Sequence, residues 1–142
     1  MSLPLLALLL AAAPAQSGLA TTGRPALLHP VVEASARCSA NPQLVIALTQ
    51  FTPPSGGHAT LVVSLRTADG RIRELGQVGV YPEQPFSAAL PNAQRFGFAI
   101  PKRTLAQNPR VMVAVRTDNG RATGARAVIG EARISPAPRE RC

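Results

Sequence analysis

The chain has 142 residues, enough for one domain, and carries fifteen Lys and Arg against seven Asp and Glu, a net charge of +8. It has one Tyr, no Trp and no run of basic residues, so the basic and aromatic interleaving used to grip nucleic acids is missing and no nucleic-acid partner is expected. The excess charge points instead to an anionic partner such as an acidic protein, a polysaccharide or lipid head groups.

Residues 3–13 are almost wholly apolar but too short to span a bilayer, which takes about 20 residues. They run into Ala13-Pro14-Ala15, a small-x-small cleavage pattern, and then into polar Gln16 and Ser17. This predicts a secretory signal peptide over residues 1–15, although Met1-Ser2 lacks the usual Lys or Arg. The expected product is periplasmic or secreted, with no transmembrane segment after cleavage. All basic residues but Lys102 are Arg. With abundant Ala, Pro and Gly, that skew suggests GC-rich coding and a bacterial source.

Residues 16–42 read as a lead-in segment with Pro25, Pro30 and two apolar patches, Leu27-Leu28 and Val31-Val32, able to form a short edge strand or to dock. Regular structure is expected from Gln43, in a domain over residues 43–135. Residues 44–51 are apolar at nearly every position, which suits a strand buried on both faces. Residues 52–58, with Pro53, Pro54, Gly56 and Gly57, form a loop.

A repeated stretch follows. Leu61-Val-Val-Ser-Leu-Arg-Thr-Ala-Asp-Gly-Arg71 returns as Val111-Met-Val-Ala-Val-Arg-Thr-Asp-Asn-Gly-Arg121. Each copy alternates apolar residues at period two and then meets Asp-Gly or Asn-Gly, the strongest short-range hairpin signal. Two hairpins on one plan are therefore predicted. In the first, the pattern slips between Ile72 and Leu75 beside Gly76 and Gly79, which predicts a β-bulge. The second is expected to return through Arg126 to Ile134, changing parity at Gly130. Between them, Phe86, Ala88 and Leu90 suggest a short edge strand, and Phe96, Phe98 and Ile100 a core face. Residues 101–109 suit a single helical turn crossing one end.

About seven strands at regular spacing, with no convincing helical period, predict an all-β, antiparallel β-sandwich of immunoglobulin-like size, with an open barrel as the alternative. Residues 136–142 form a C-terminal tail. Cys38 and Cys142 flank nearly everything that looks folded, and in an oxidising compartment they are expected to form one disulfide bond. Free thiols or an intermolecular bridge are the alternatives.

The segments Leu75-Gly-Gln-Val-Gly-Val-Tyr-Pro82 and Arg95-Phe-Gly-Phe-Ala-Ile-Pro101, with the closing pieces 111–115 and 126–134, resemble the β-sandwich extension that follows the copper domain in tyrosinases and polyphenol oxidases. The likeness covers about half the chain. The copper domain is missing, and only His29 and His58 are present where that domain has six histidine ligands. What the resemblance implies is a stand-alone accessory or chaperone-like partner of a tyrosinase-type copper oxidase.

Chemistry is harder to find. Ser55, His58 and Asp69 supply the residue types of a triad, but no nucleophile elbow accompanies them, so no catalytic residue is assigned and a small hydrolase ranks last. Two histidines without further ligands give no metal site, and no cofactor is expected. What remains is a set of arginines around the two predicted turns: Arg66, Arg71 and Arg73 in the first, Arg116, Arg121 and Arg126 in the second. If the turns meet at one end, these form a cationic patch for carboxylate or phosphate groups. The expected function is a non-catalytic, secreted binding module.

Overall fold

Leu61, Val63 and Leu65 alternate with Thr60, Val62 and Ser64, so one face of their strand must find apolar cover. The computed structural model, which describes residues 18–118 and 123–140, shows how. Among these residues ten strands run in chain order: β1 (Gly18–Thr21), β2 (Ala26–Leu28), β3 (Val31–Val32), β4 (Gln43–Thr52), β5 (Ala59–Arg66), β6 (Ile72–Gly79), β7 (Phe86–Ser87), β8 (Gln94–Ala99), β9 (Arg110–Thr117) and β10 (Arg126–Ser135). They form two sheets. One has the order β1-β10-β4-β7, with β3 also on β10 and β8 also on β4; the other has the order β2-β9-β5-β6. Pairing is antiparallel throughout except where β3 meets β10 over two residues. Neither sheet closes into a barrel, and the protein is an all-β sandwich.

The core lies between the sheets. Leu44, Ile46, Leu48 and Phe51 of β4 and Ile129 and Ile134 of β10 face Leu61, Val63, Leu65, Val111 and Val113, all essentially without solvent contact. The predicted parity slips are present. On β6 the register passes from Val63↔Gly76 to Ser64↔Glu74, leaving Leu75 as the extra residue. Gly76 stands there because the Phe98 ring lies over it; a Cβ at that position would come within 3.1 Å of Phe98 Cε1. The pairing of β10 with β4 shifts likewise on either side of Ile129, next to Gly130. The short helical turn expected within 101–109 is a 3₁₀ turn, Lys102–Gln107, ended by Asn108 in the left-handed region at φ 47°.

Two expectations are corrected. Among the described residues regular structure is already present at Gly18, well before Gln43. The segment expected as a lead-in supplies β1, β2 and β3, with Ala20 and Leu28 fully buried. β1 extends one sheet against β10 and β2 extends the other against β9. Strands of two to four residues between prolines are too short to show a period, which is why the count rises from about seven to ten.

The second predicted hairpin does not exist as such. β9 pairs with β5 and β2, while β10 pairs with β4 and β1, in the opposite sheet. The connection between Thr117 and Arg126 is longer than the 2–5 residues usual for a hairpin loop, and it carries the chain across the sandwich. The repeat is one of local sequence, whereas the fold uses its second copy as the neighbour of the first.

Candidate anion-binding site

That neighbour relation creates the site. In the β5–β9 register Leu65 lies opposite Val111 and Arg66 opposite Arg110, the last rung of the pair. Leu65 and Val111 point inward, so the two arginines project from the outer face, where both are exposed. The turn that follows is tightly bonded. Thr67 N–H donates to Arg71 O at 2.9 Å and Gly70 N–H to Thr67 O at 2.9 Å, with Gly70 at φ 85°, the left-handed position such a loop requires. The Thr67 hydroxyl donates to the Asp69 carboxylate, and Arg71 N–H donates to Asp69 Oδ1 at 3.2 Å. Those bonds, the Thr67 hydroxyl first, hold the Asp69 carboxyl below its ordinary range. Asp69 also pairs with Arg71 at 3.3 Å.

Asp69 is thus committed to its own turn. Ala68 N–H donates to Gln107 O at 3.3 Å and ties the turn to the 3₁₀ turn beside it. Between them lies a cleft of about 300 Å³ lined by Arg66, Thr67, Ala68, Gly70, Asn108 and Arg110. Among the described residues, no carboxylate pairs with Arg66 or Arg110. Like charges directly opposite each other across a strand pair are destabilising, a cost that a bound anion would remove.

Of the six arginines expected to act together, the five that are described do not meet. Arg66, Arg71 and Arg73 lie at the end of β5 that turns into β6. Arg116 lies opposite Thr60 at the other end of β5, and Arg126, opposite Thr52 and Thr21, begins β10 at that same far end. Arg121 lies outside the described residues. The reason is strand direction: β5 runs toward its turn while antiparallel β9 runs away from it. The structure adds Arg110 and Asn108, which precede the second copy of the repeat and carry no signal until β5 and β9 are known to pair.

A second cleft of about 260 Å³ lies on the outer face of the other sheet, lined by Val45, Ala47, Arg95, Glu131, Arg133 and Ser135. Its cations are internally occupied. Arg133 pairs with Glu131 at 2.6 Å and Glu33 at 3.7 Å, and Arg95 Nη2 donates to Leu90 O at 2.8 Å.

His58 lies at the far end of β5 from Asp69, so the two cannot share a triad. Its Nδ1 is 2.6 Å from Glu83 Oε2, while Glu83 Oε1 accepts the Ala59 N–H at 2.9 Å. The hydrogen bond to Glu83, then the charges of Glu83 and Asp118, raise the His58 pKa above its ordinary 6.5; bonding to His58 lowers that of Glu83 below its ordinary 4.5. The His58 contribution is complete below pH 6.5 and fades as pH rises through the raised value. The Glu83 contribution is complete above pH 4.5 and fades as pH falls through the lowered one. Proton-detected titration of the imidazole should place its midpoint above 6.5, and Glu83→Gln should bring it down; an unmoved midpoint would remove the pair.

Cys38 lies in the 3₁₀ turn Ala34–Cys38, and its expected partner Cys142 lies outside the described residues. Among the described residues, no group of three His, Cys, Asp or Glu side chains is placed to hold a metal ion, and no helix is long and apolar enough to cross a membrane. Comparison with known proteins finds no matching family model, no matching curated protein and no matching solved structure.

Proposed function

We propose that the protein is a non-catalytic binding module, exported after loss of residues 1–15, that recognises a carboxylate-bearing partner through Arg66 and Arg110. The observation that carries this reading is the opposed pair itself: two guanidinium groups on adjacent strands, beside a cleft, with no carboxylate partner among the described residues. A guanidinium offers forked donors matched to a carboxylate or phosphate, and charge-assisted bonds of that kind contribute about 1.5–3 kcal/mol each. The Asn108 side chain, on the cleft wall, can add amide donors.

Binding of polygalacturonate and of poly-L-glutamate tests it. Arg66→Ala with Arg110→Ala should weaken both by about tenfold or more at low salt, a loss of about 1.4 kcal/mol per decade. Arg37→Ala with Arg126→Ala, both exposed and on neither β5 nor β9, should change them less than about twofold. Equal losses from the two pairs would mean diffuse attraction and no site.

A second reading, an accessory partner of a tyrosinase-type copper oxidase, is favoured by one observation. Two of the four segments that carry the likeness, 75–82 and 95–101, adjoin where Gly76 of β6 packs against Phe98 of β8. β6 is the last strand of its sheet and β8 pairs beside β4 in the other, so the two segments adjoin across the sandwich.

A further inference from the structure

We infer that the outer face of the β2-β9-β5-β6 sheet docks an acidic protein whose carboxylates surround an apolar patch. This inference rests on the anion site proposed above, which would hold one margin of that partner. The registers place four rungs on the face: Arg110, Arg66 and Ile72; then Leu27, Met112, Ser64 and Glu74; then Ala114, Val62 and Gln77; then Arg116, Thr60 and Gly79. Leu27 is 42 % exposed and Ile72 58 % exposed, with Met112 and Ala114 half-buried between the arginines. Arg110 and Arg116 lie six residues apart on one strand, about 20 Å, and bracket the apolar centre at both ends. Glu74 is the one acidic residue in these rungs.

Charge complementarity selects the occupant. A second copy would set Arg66, Arg110 and Arg116 against their equivalents on a chain already at +8, which repels. A polysaccharide would satisfy the arginines but offers little apolar surface to Leu27, Met112 and Ile72, and no aromatic ring in the rungs lets a sugar stack. A protein surface with both carboxylates and aliphatic side chains satisfies the whole face, each buried Å² of aliphatic surface adding about 25 cal/mol. Four strands about 4.8 Å apart by about 20 Å give roughly 300 Å², below the roughly 800 Å² per partner of a stable complex. Docking here is accordingly weak, transient and salt-sensitive.

The full chain should be titrated with a random Glu–Leu copolypeptide, poly-L-glutamate and polygalacturonate. The copolypeptide is expected to bind about tenfold more tightly than either acid homopolymer. Leu27→Ser with Met112→Ser, which alters no charge, should abolish that advantage and leave poly-L-glutamate binding intact. Ala114→Gln, adding bulk to the same face, serves as the second variant if the first does not fold. Equal binding of the three polymers, a preference for polygalacturonate, or an advantage untouched by these variants would overturn the inference. So would self-association that the same variants abolish. If the homopolymers bind through Arg66 and Arg110 but leucine adds nothing, the docking inference alone fails. If no polymer binds, the anion site fails with it.

Discussion

Leu28→Ala is expected to destabilise the fold by about 3–5 kcal/mol, read as a lower urea midpoint at an unchanged slope. Leu28 is fully buried on β2, opposite Val111 of β9. On its other side lies β1, where a Cβ on Gly18 would stand 3.1 Å from Leu28 Cγ, so little room exists for neighbours to close over the lost methyls. Small domains hold about 5–15 kcal/mol in all, so this single change would consume a large share of the total. Leu27→Ala, on the solvent face one residue earlier, should stay within about 0.5 kcal/mol. A Leu28→Ala loss under about 1 kcal/mol would show that β1 and β2 lie on the sandwich without being part of its core.

The second large effect belongs to the proposed Cys38–Cys142 bridge. Cys38→Ser, or reduction of the wild-type chain, should cost about 2–5 kcal/mol, near the upper end in the chain-entropy account because the closed loop spans about 100 residues. The described part of the C-terminal tail supports the pairing. The Ser39 hydroxyl donates to the Glu140 carboxylate, Asn41 Nδ2 donates to Glu140 Oε1 at 3.2 Å, and Ala137 N–H donates to Ser39 Oγ at 3.3 Å. The Ser39 hydroxyl first, and then Asn41, hold the Glu140 carboxyl below its ordinary range. Residue 140 is thus bonded to the residue after Cys38. Intact mass of the unreduced protein should lack two hydrogens relative to the reduced chain. An oxidised mass equal to the reduced one, with Cys38→Ser unfolding like wild type, would exclude the bridge.

Short-range signals in the sequence determined the elements. Alternation at 61, 63 and 65 and at 111, 113 and 115 marked two strands and their buried faces, and the slips at Gly76 and Gly130 marked where registers shift. The Asp69-Gly70 step marked a true hairpin turn, because its loop closes within five residues, from Thr67 to Arg71. These features depend only on neighbours a few residues away, which is the range over which side-chain period and turn chemistry act.

Only the tertiary structure decided which strands meet. Asn119-Gly120 carries the same turn signal, yet β10 leaves β9 for the opposite sheet, where its apolar face completes the pairing of β4. β1 and β2 are strands because β10 and β9 offer them open edges, a condition no local pattern records. The arginines follow from the same fact. Their identities and exposure were legible, but antiparallel pairing separates Arg116 from Arg66 and brings Arg110 to it. A charged cluster is a property of partners distant in sequence, and register, unlike period, is set by the whole packed core.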